Sequence, residues 1–599
     1  MGTDKLKHIQ DYLACAGQYF QNNNLLSAKK IILEAISRFP DSPEAHFNLG
    51  LIYSKSNHFQ LALTAFQQSA KFNPNHSGAQ FQTGLMLMLT GRMLPAVTCF
   101  QKTLSLNPNL PEAHTALGFA YEQLGQISLA KKAFNAALKM GVNTSSIIES
   151  LYSLAQKSCD WQNTKKYEKL INQLTTKGLN EGSIIVESPF TNLTRTDNLK
   201  QNLQVTKYWS NLIENSSKNL HQPFNHTNHT AKQTIKVGYL SLDIRFHAVA
   251  CQIIDLFKYH DRQKFKTFVY SYGDDDNSDI RHQIKKNCYK FYDLSGQEHY
   301  KIAKKIFSDK IDILIDLSGF TGLQKPDITA YRPAPIQINY LGFPGTSGST
   351  YIDYIIADKT VIPPKDQPYY TEKIIYLPDC YQICSPPPVS KKTFQRSDFG
   401  LPEDAFIFSS FNRPSKIEPA MFDTWINIIK KVPQSILWLY SDNPVSKKNL
   451  TKYWANSGLD PKRLIFYSKL PLGDFITSLK LSHLHLDTSI YSGGATTANL
   501  LWAGVPVITL EGKHYLSRMT SSLLKNIGLN KLICKSLLEY ENLAVYLATH
   551  PKKLQTIQKK IQNNKLTYPL FNTKLFTQNL EKALIIIYKK YFNQQIIVK

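Results

Sequence analysis

Residues 1–142 repeat with a period of 34. Ala16, Gly50, Gly84 and Gly118 recur in step. So do Tyr19, Tyr53, Leu87 and Tyr121, then Ala28, Ala62, Ala96 and Ala130, then Ile32, Phe66, Phe100 and Phe134. Pro40, Pro74 and Pro108 close three of the units, and Val142 holds that place in the fourth. A unit this short cannot bury an apolar face alone, so consecutive units must stack around one continuous core. The small residues admit close approach of two helices, and the large ones fill the space between them. Proline lacks an N–H and ends the second helix of each unit.

This four-register pattern is that of the tetratricopeptide repeat (TPR). Residues 143–175 continue as helical segments with weaker repeat features, as suits a polar solenoid cap. The expectation is a TPR superhelix over 1–175, whose groove recruits a protein or peptide partner. A spacer or dimerisation role is the plainer reading, and a homo-oligomer is left open.

The chain has 599 residues, enough for about three to five domains at roughly 100–200 residues each. Hydrophobic residues make up 42% and charged residues 19%, which excludes wholesale disorder. Lys+Arg is 70 against 45 Asp+Glu, a net charge of +25 that calls for anionic partners without saying which. No apolar run of 18 residues exists, so no membrane span is expected. The start lacks a signal-peptide core, and Leu6 spoils the myristoylation pattern begun by Met1–Gly2. The eight cysteines are scattered, and Cys380 and Cys384 have neither redox nor zinc spacing. A cytoplasmic setting with reduced thiols is the expectation.

Residues 176–232 are rich in Asn, Thr and Ser and read as a linker with some helix at 197–215. Their three histidines, 221, 226 and 229, read as solvated loop residues. From 233 onward, short β-branched and aromatic runs alternate with helical stretches. The expected strands are 235–240, 266–272, 311–317, 335–341 and 352–356, then 405–411, 435–441, 463–467, 483–487 and 505–510. Such alternation predicts parallel sheets. A Pro-rich stretch around Pro378 and Pro386–Pro388 separates the two series, so two doubly wound domains are expected, 233–390 and 391–599. Ligands in such folds sit beyond the carboxyl ends of the strands.

Four segments have chemical potential. In 487–510 (DTSIYSGGATTANLLWAGVPVITL), Gly493 and Gly494 lead into a helix opened by Ala495, Thr496 and Thr497. A Gly-Gly turn into a helix start exposes free N–H groups and the positive dipole end, an arrangement suited to a diphosphate. An ordinary capped helix reads equally well. In 408–419 (FSSFNRPSKIEP), Arg413 and Lys416 lie on a polar turn after a strand, where a lysine can neutralise a leaving phosphate. In 238–252, Asp243 and His247 follow the first strand; histidine is the usual base near neutral pH. In 332–348 (RPAPIQINYLGFPGTSG), Gly and Pro residues build a sharp loop. Taken singly, a surface lysine, a structural histidine and a structural turn are the plainer readings.

Their order is more specific. TPR array, DxxxHAV, RPAPIQ…LGFPGTSG, FNxxxKI, SILWL and GGATT…LWAGVPVIT together resemble the O-linked N-acetylglucosamine transferases and SPINDLY-type transferases. The resemblance covers about 233–590 and extends to the repeats; the tail 568–584 is similar to the family's closing helix. It implies an α plus α/β architecture, a TPR solenoid followed by a two-lobed GT-B glycosyltransferase. It implies an inverting, metal-independent transfer from a nucleotide sugar, UDP-N-acetylglucosamine (UDP-GlcNAc) as co-substrate, to Ser/Thr of a protein acceptor, with no further cofactor. It places Lys416 and His247 at the catalytic centre, with Gly493, Gly494, Ala495, Thr496 and Thr497 on the diphosphate. It also implies that no metal binds the Asp274–Asp276 run. The chain departs from the family pattern at Asn499, Arg413, Phe475, Cys251 and Phe320, the first three beside the donor or base. Those departures leave UDP-glucose or GDP-fucose open as donors, and motivate the alternative of a catalytically weak scaffold. Nucleic acid, suggested by charge alone, ranks last among partners.

Overall fold

The computed structural model describes residues 8–142, 145–227, 229–321, 327–467 and 469–598. The Met1–Gly2 start lies outside the described residues. The chain divides into two compact units, Met1–Ala155 and Gln156–Lys599.

In the first unit the helices pair as the repeat predicts: Ile9–Gln21 with Leu25–Arg38, Pro43–Lys55 with Phe59–Phe72, Ser77–Leu89 with Met93–Leu106, and Pro111–Gln123 with Ile127–Lys139. A Cβ on Gly50 would fall 2.5 Å from the Phe66 ring, on Gly84 2.6 Å from Phe100, and on Gly118 2.6 Å from Phe134. Three of the four repeats therefore share one lock, a ring seated on a bare backbone. In the first repeat the large residue is Ile32, and Ala16 is tolerated opposite it. Phe66, Phe100 and Phe134 are wholly buried, each contributing on the order of 1.5–3 kcal/mol by apolar transfer.

The boundary falls earlier than the expected 175. Helix Trp161–Glu181 belongs to the second unit, where the Trp161 indole donates to the carbonyl of Ile417 at 3.2 Å. The segment expected as a linker, 176–232, is largely folded. It carries helices Pro189–Arg195 and Leu199–Leu220, and a buried ion pair in which Arg195 Nε meets Glu187 at 2.7 Å. The three histidines are engaged. His221 stacks on Tyr300 with centroids 3.6 Å apart, His226 Nε2 meets the Arg332 carbonyl at 2.7 Å, and His229 Nε2 meets Asp312 at 2.5 Å. Polar composition concealed these contacts because their partners lie about 80–110 residues away in sequence.

Two parallel sheets form the rest of the second unit. The first contains β1 (Ile235–Ser241), β2 (Phe265–Ser271), β3 (Lys290–Asp293), β4 (Ile313–Asp316), β5 (Ile336–Asn339), β6 (Tyr354–Ala357) and β7 (Lys373–Tyr376), in the order β3-β2-β1-β4-β5-β6-β7. The second contains β8 (Phe406–Ser410), β9 (Ser435–Tyr440), β10 (Leu464–Tyr467), β11 (Leu484–Leu486), β12 (Val507–Leu510) and β13 (Ile533–Cys534), in the order β10-β9-β8-β11-β12-β13. Both are doubly wound. The strand order reverses between β1 and β4 in the first and between β8 and β11 in the second, which opens a crevice at their carboxyl ends.

The final helix, Thr573–Val598, returns to the first sheet. Phe576, Leu580, Leu584, Ile587 and Tyr588 share one core with Val237, Ile313 and Ile336. Glu581 fixes the return, accepting from the Asp261 N–H at 2.7 Å and meeting His260 Nδ1 at 2.9 Å. The closing helix thus completes the first lobe rather than the second. Further ties between the lobes include Arg518 to Asp366 at 2.6 Å, both buried, and the Ser522 hydroxyl to Asp358.

Candidate functional site

The β8–β11 crevice brings two loops together. The turn after β8 carries Asn412, Arg413 and Lys416; the turn after β11 carries Asp487 and then Gly493–Thr497. Asp487, fully buried, joins them. Its Oδ1 accepts from Asn412 Nδ2 at 2.9 Å and from the Gly493 N–H at 2.9 Å, while Oδ2 accepts from the Thr509 hydroxyl at 2.8 Å. Tyr540 donates to the Asp487 carbonyl at 2.9 Å and holds the strand end.

Gly493 is required sterically, since a Cβ there would fall 2.4 Å from the Thr497 hydroxyl. Gly494 caps helix Ala495–Ala503, and the first intrahelical bond runs from the Ala498 N–H to the Gly494 carbonyl at 3.0 Å. The preceding helix amides therefore have no intrahelical acceptor and carry the positive dipole end. Thr496 and Ala495 are half-buried at this start, and Asn499 is half-buried one turn on. Thr497 is different from expectation. Its buried hydroxyl lies 3.0 Å from Thr520, which itself donates to the Gly493 carbonyl at 2.7 Å. Thr497 thus supplies a backbone amide and a brace for the turn, not a hydroxyl for a ligand.

Lys416 reaches this turn. Its Nζ lies 3.3 Å from the Ser492 carbonyl, 3.4 Å from Asn412 Oδ1 and 3.6 Å from the centroid of the Tyr491 ring. Burial pushes its pKa down to about 7, with Arg413 adding to the shift and Asp487 opposing it. Arg413 is exposed.

His247 follows β1 of the first lobe and caps helix Ala248–Ile253. Its Nδ1 lies 3.4 Å from the Val249 N–H, as acceptor, and 3.6 Å from Asp243 Oδ2. Burial holds its pKa below the usual histidine value; Asp243 opposes the shift, and Arg245 and Arg413 add to it. The charge of Arg413, from the second lobe, thus bears on both His247 and Lys416. The imidazole is thus neutral near pH 7. While Nδ1 accepts from Val249, the proton sits on Nε2; a basic Nε2 requires Nδ1–H to face Asp243 instead.

Phe475, expected near the base, packs into an aromatic cluster of the second lobe. Its ring meets Phe411 and Tyr467 edge-on, with centroids 5.8 and 5.5 Å away. Cys251 is half-buried with its thiol pushed up to about 11 by burial. Phe320 is buried edge-on against Phe343. Among the described residues, no group of three His, Cys, Asp or Glu side chains is placed to hold a metal. The pockets lined by Leu377, Asp379 and Asn579 and by Phe320, Phe343 and Tyr351 measure about 10 Å³ each, room for one water and too small for a nucleotide. Sequence reasoning missed Asn412, Asp487, Tyr491 and Gln382, whose Oε1 would lie 3.1 Å from a Cβ on Gly494. The position of Asp487 at a strand end, just before the glycines, was the available signal.

The family model described as glycosyl transferase family 41 matches residues 158–392 and 386–580. Tetratricopeptide repeat models match 43–76, 84–125 and 111–140. The chain is 38% identical over 356 residues to the probable UDP-N-acetylglucosamine–peptide N-acetylglucosaminyltransferase SEC of Arabidopsis thaliana, covering 58% of this chain and 36% of that protein. It is 26% identical to the corresponding transferase of Caenorhabditis elegans (60% of this chain, 41% of that protein). It is 30% identical to the probable transferase SPINDLY of Petunia hybrida (60% and 39%). The matches thus span about two fifths of these curated relatives. Among solved structures, a mutant of the Thermobaculum terrenum O-GlcNAc transferase superposes with a TM-score of 0.60 at 22% identity, covering 99% of this chain and 98% of that one. That likeness shows the fold.

Proposed function

The chain belongs to glycosyl transferase family 41, and on that premise we propose that it transfers N-acetylglucosamine from UDP-GlcNAc to Ser/Thr hydroxyls of protein acceptors gathered by the TPR groove. The transfer is inverting and metal-independent. The acceptor oxygen attacks the anomeric carbon in line, the bond from that carbon to the diphosphate breaks, and the hydroxyl proton leaves to a base. His247, or Asp243 beside it, takes that proton. Charge developing on the diphosphate is met by the Lys416 ammonium, by Arg413 and by the amides at Ala495–Thr497.

The observation that carries this reading is the desolvated Lys416 ammonium at an open helix start, both set at the crevice of the second sheet. A positive charge held in a low-dielectric site, near helix amides without internal partners, is arranged for a diphosphate rather than for fold stability. Thermal unfolding with UDP, GDP and their sugars tests it. A ligand bound only by the native state at 100 times its Kd stabilises that state by about 2.7 kcal/mol. Stabilisation by UDP and UDP-GlcNAc but not GDP is expected. A response to UDP-glucose over UDP-GlcNAc, or to GDP-fucose, moves the donor; silence to all of them removes the reading.

A further inference from the structure

Building on the role given to His247, we infer that the acidic loop after β2 and Arg281 form a latch that sets the position of His247. The segment 242–247 joins β1 to the helix that His247 caps and makes no strand pairing. Three contacts from the β2 side hold it. Asp276 Oδ2 accepts from the Phe246 N–H at 2.6 Å, one residue before the imidazole. Arg281 NH1 donates to the Ile244 carbonyl at 2.8 Å, one residue after Asp243, and to the Ser271 hydroxyl at 2.7 Å. Gly273 packs against Leu242 so closely that a Cβ would fall 1.8 Å from the Leu242 carbonyl oxygen. Asp243 itself is tied back by its N–H to the Ser241 hydroxyl at 2.9 Å.

Arg281 is built for this. It is 3% exposed, its Nε meets Asp275 at 3.0 Å, its NH2 meets Asp293 at 2.7 Å, and its guanidinium lies 5.0 Å from the Phe291 ring centroid. A buried guanidinium is costly unless every donor is satisfied, and here one donor is spent on the carbonyl of the His247 loop. The Asp274–Asp276 run, which reads as a solvated loop, is thus partly structural: Asp275 braces the arginine and Asp276 holds the backbone beside the base. Asp276 and Arg281 are positioning residues, acting on the acceptor side of the reaction and leaving the donor site of the second lobe untouched.

The full chain tests this with Asp276→Ala and Asp276→Asn. Asp276→Ala is expected to lower kcat on the order of 10²-fold, the scale of a misplaced catalytic group, with donor KM and UDP stabilisation unchanged. Asp276→Asn keeps an oxygen able to accept from Phe246 and is expected to recover kcat to within about threefold of wild type, since hydrogen-bond acceptance rather than charge performs the task. Unchanged kcat in Asp276→Ala, or equal losses in both variants, overturns the latch. Amide hydrogen exchange of 244–247 decides it independently of any transfer. Faster exchange in Asp276→Ala supports the latch, and unchanged exchange overturns it. UDP stabilisation of the wild type separately tests the assigned function, so the two fail in different measurements.

Discussion

Lys416 and His247 both reach the crevice with their charged forms disfavoured by burial, and that shared condition gives the site its pH behaviour. Lys416 has a pKa of about 7 in the free protein, and a bound diphosphate raises it. Donor binding is therefore tightest below pH 7, where the ammonium is already formed, and weakens as pH rises from 7 toward the pKa of the complex. Calorimetry with UDP-GlcNAc, which has no titrating terminal phosphate, should show proton uptake at pH 8 and almost none at pH 6; pH-independent binding would contradict this. His247 must be neutral to act as base, so kcat/KM falls on the acid side below the usual histidine value of 6.5. Arg413 pushes that pKa down, so Arg413→Gln moves the acid limb to higher pH, read from a pH–rate profile; an unmoved limb removes the coupling. Lys416, His247 and the glycine turn were legible because each sits in a short run of characteristic residues. Asn412, Asp487 and Tyr491 were not, because their roles arise from a contact between loops 75 residues apart.

Among the elements, the repeat was the most legible. Period 34 encodes a physical contact, the Phe ring on the glycine backbone, and the same spacing of 16 residues recurs in three units. Gly84→Ala places a Cβ 2.6 Å from Phe100, overpacking that costs about 1–3 kcal/mol. Its expected signature is a lower unfolding midpoint for the first unit with UDP stabilisation of the second unchanged. All the interior strands were expected within a few residues of their bounds. β3, β7 and β13 were missed, and each is the edge or an end of its sheet. An edge strand packs on fewer neighbours and tolerates polar residues, as the Lys290–Asp293 run shows, so its pattern carries less signal. Gly504 ends helix Ala495–Ala503 with φ near +90°, and a Cβ there would fall 2.1 Å from Gln562. Only glycine suits that left-handed position.

For the whole molecule, the parts that no local pattern could reveal are the ones that join the lobes. The final helix supplies Leu580 and Leu584 to the core of a sheet that begins more than 330 residues earlier. Arg518 meets Asp366 across the lobes with both side chains buried. Asp366→Ala leaves that guanidinium unpaired, at a cost of about 3–5 kcal/mol. Differential scanning calorimetry should show a lowered transition for the second unit; an unchanged transition would mean that Arg518 finds water or another partner. The proposed diphosphate site accounts for two cations out of a net charge of +25. Part of the remainder lies on helix Pro551–Thr567, which carries five lysines and no acidic residue. The decisive measurement is sugar transfer by the full chain from UDP-GlcNAc to a protein acceptor, scored by mass spectrometry on Ser and Thr, for wild type and Lys416→Ala. Transfer by the wild type and a loss of about 10²–10³ in kcat for a folded Lys416→Ala protein are expected; full turnover in that variant would contradict the site assigned here.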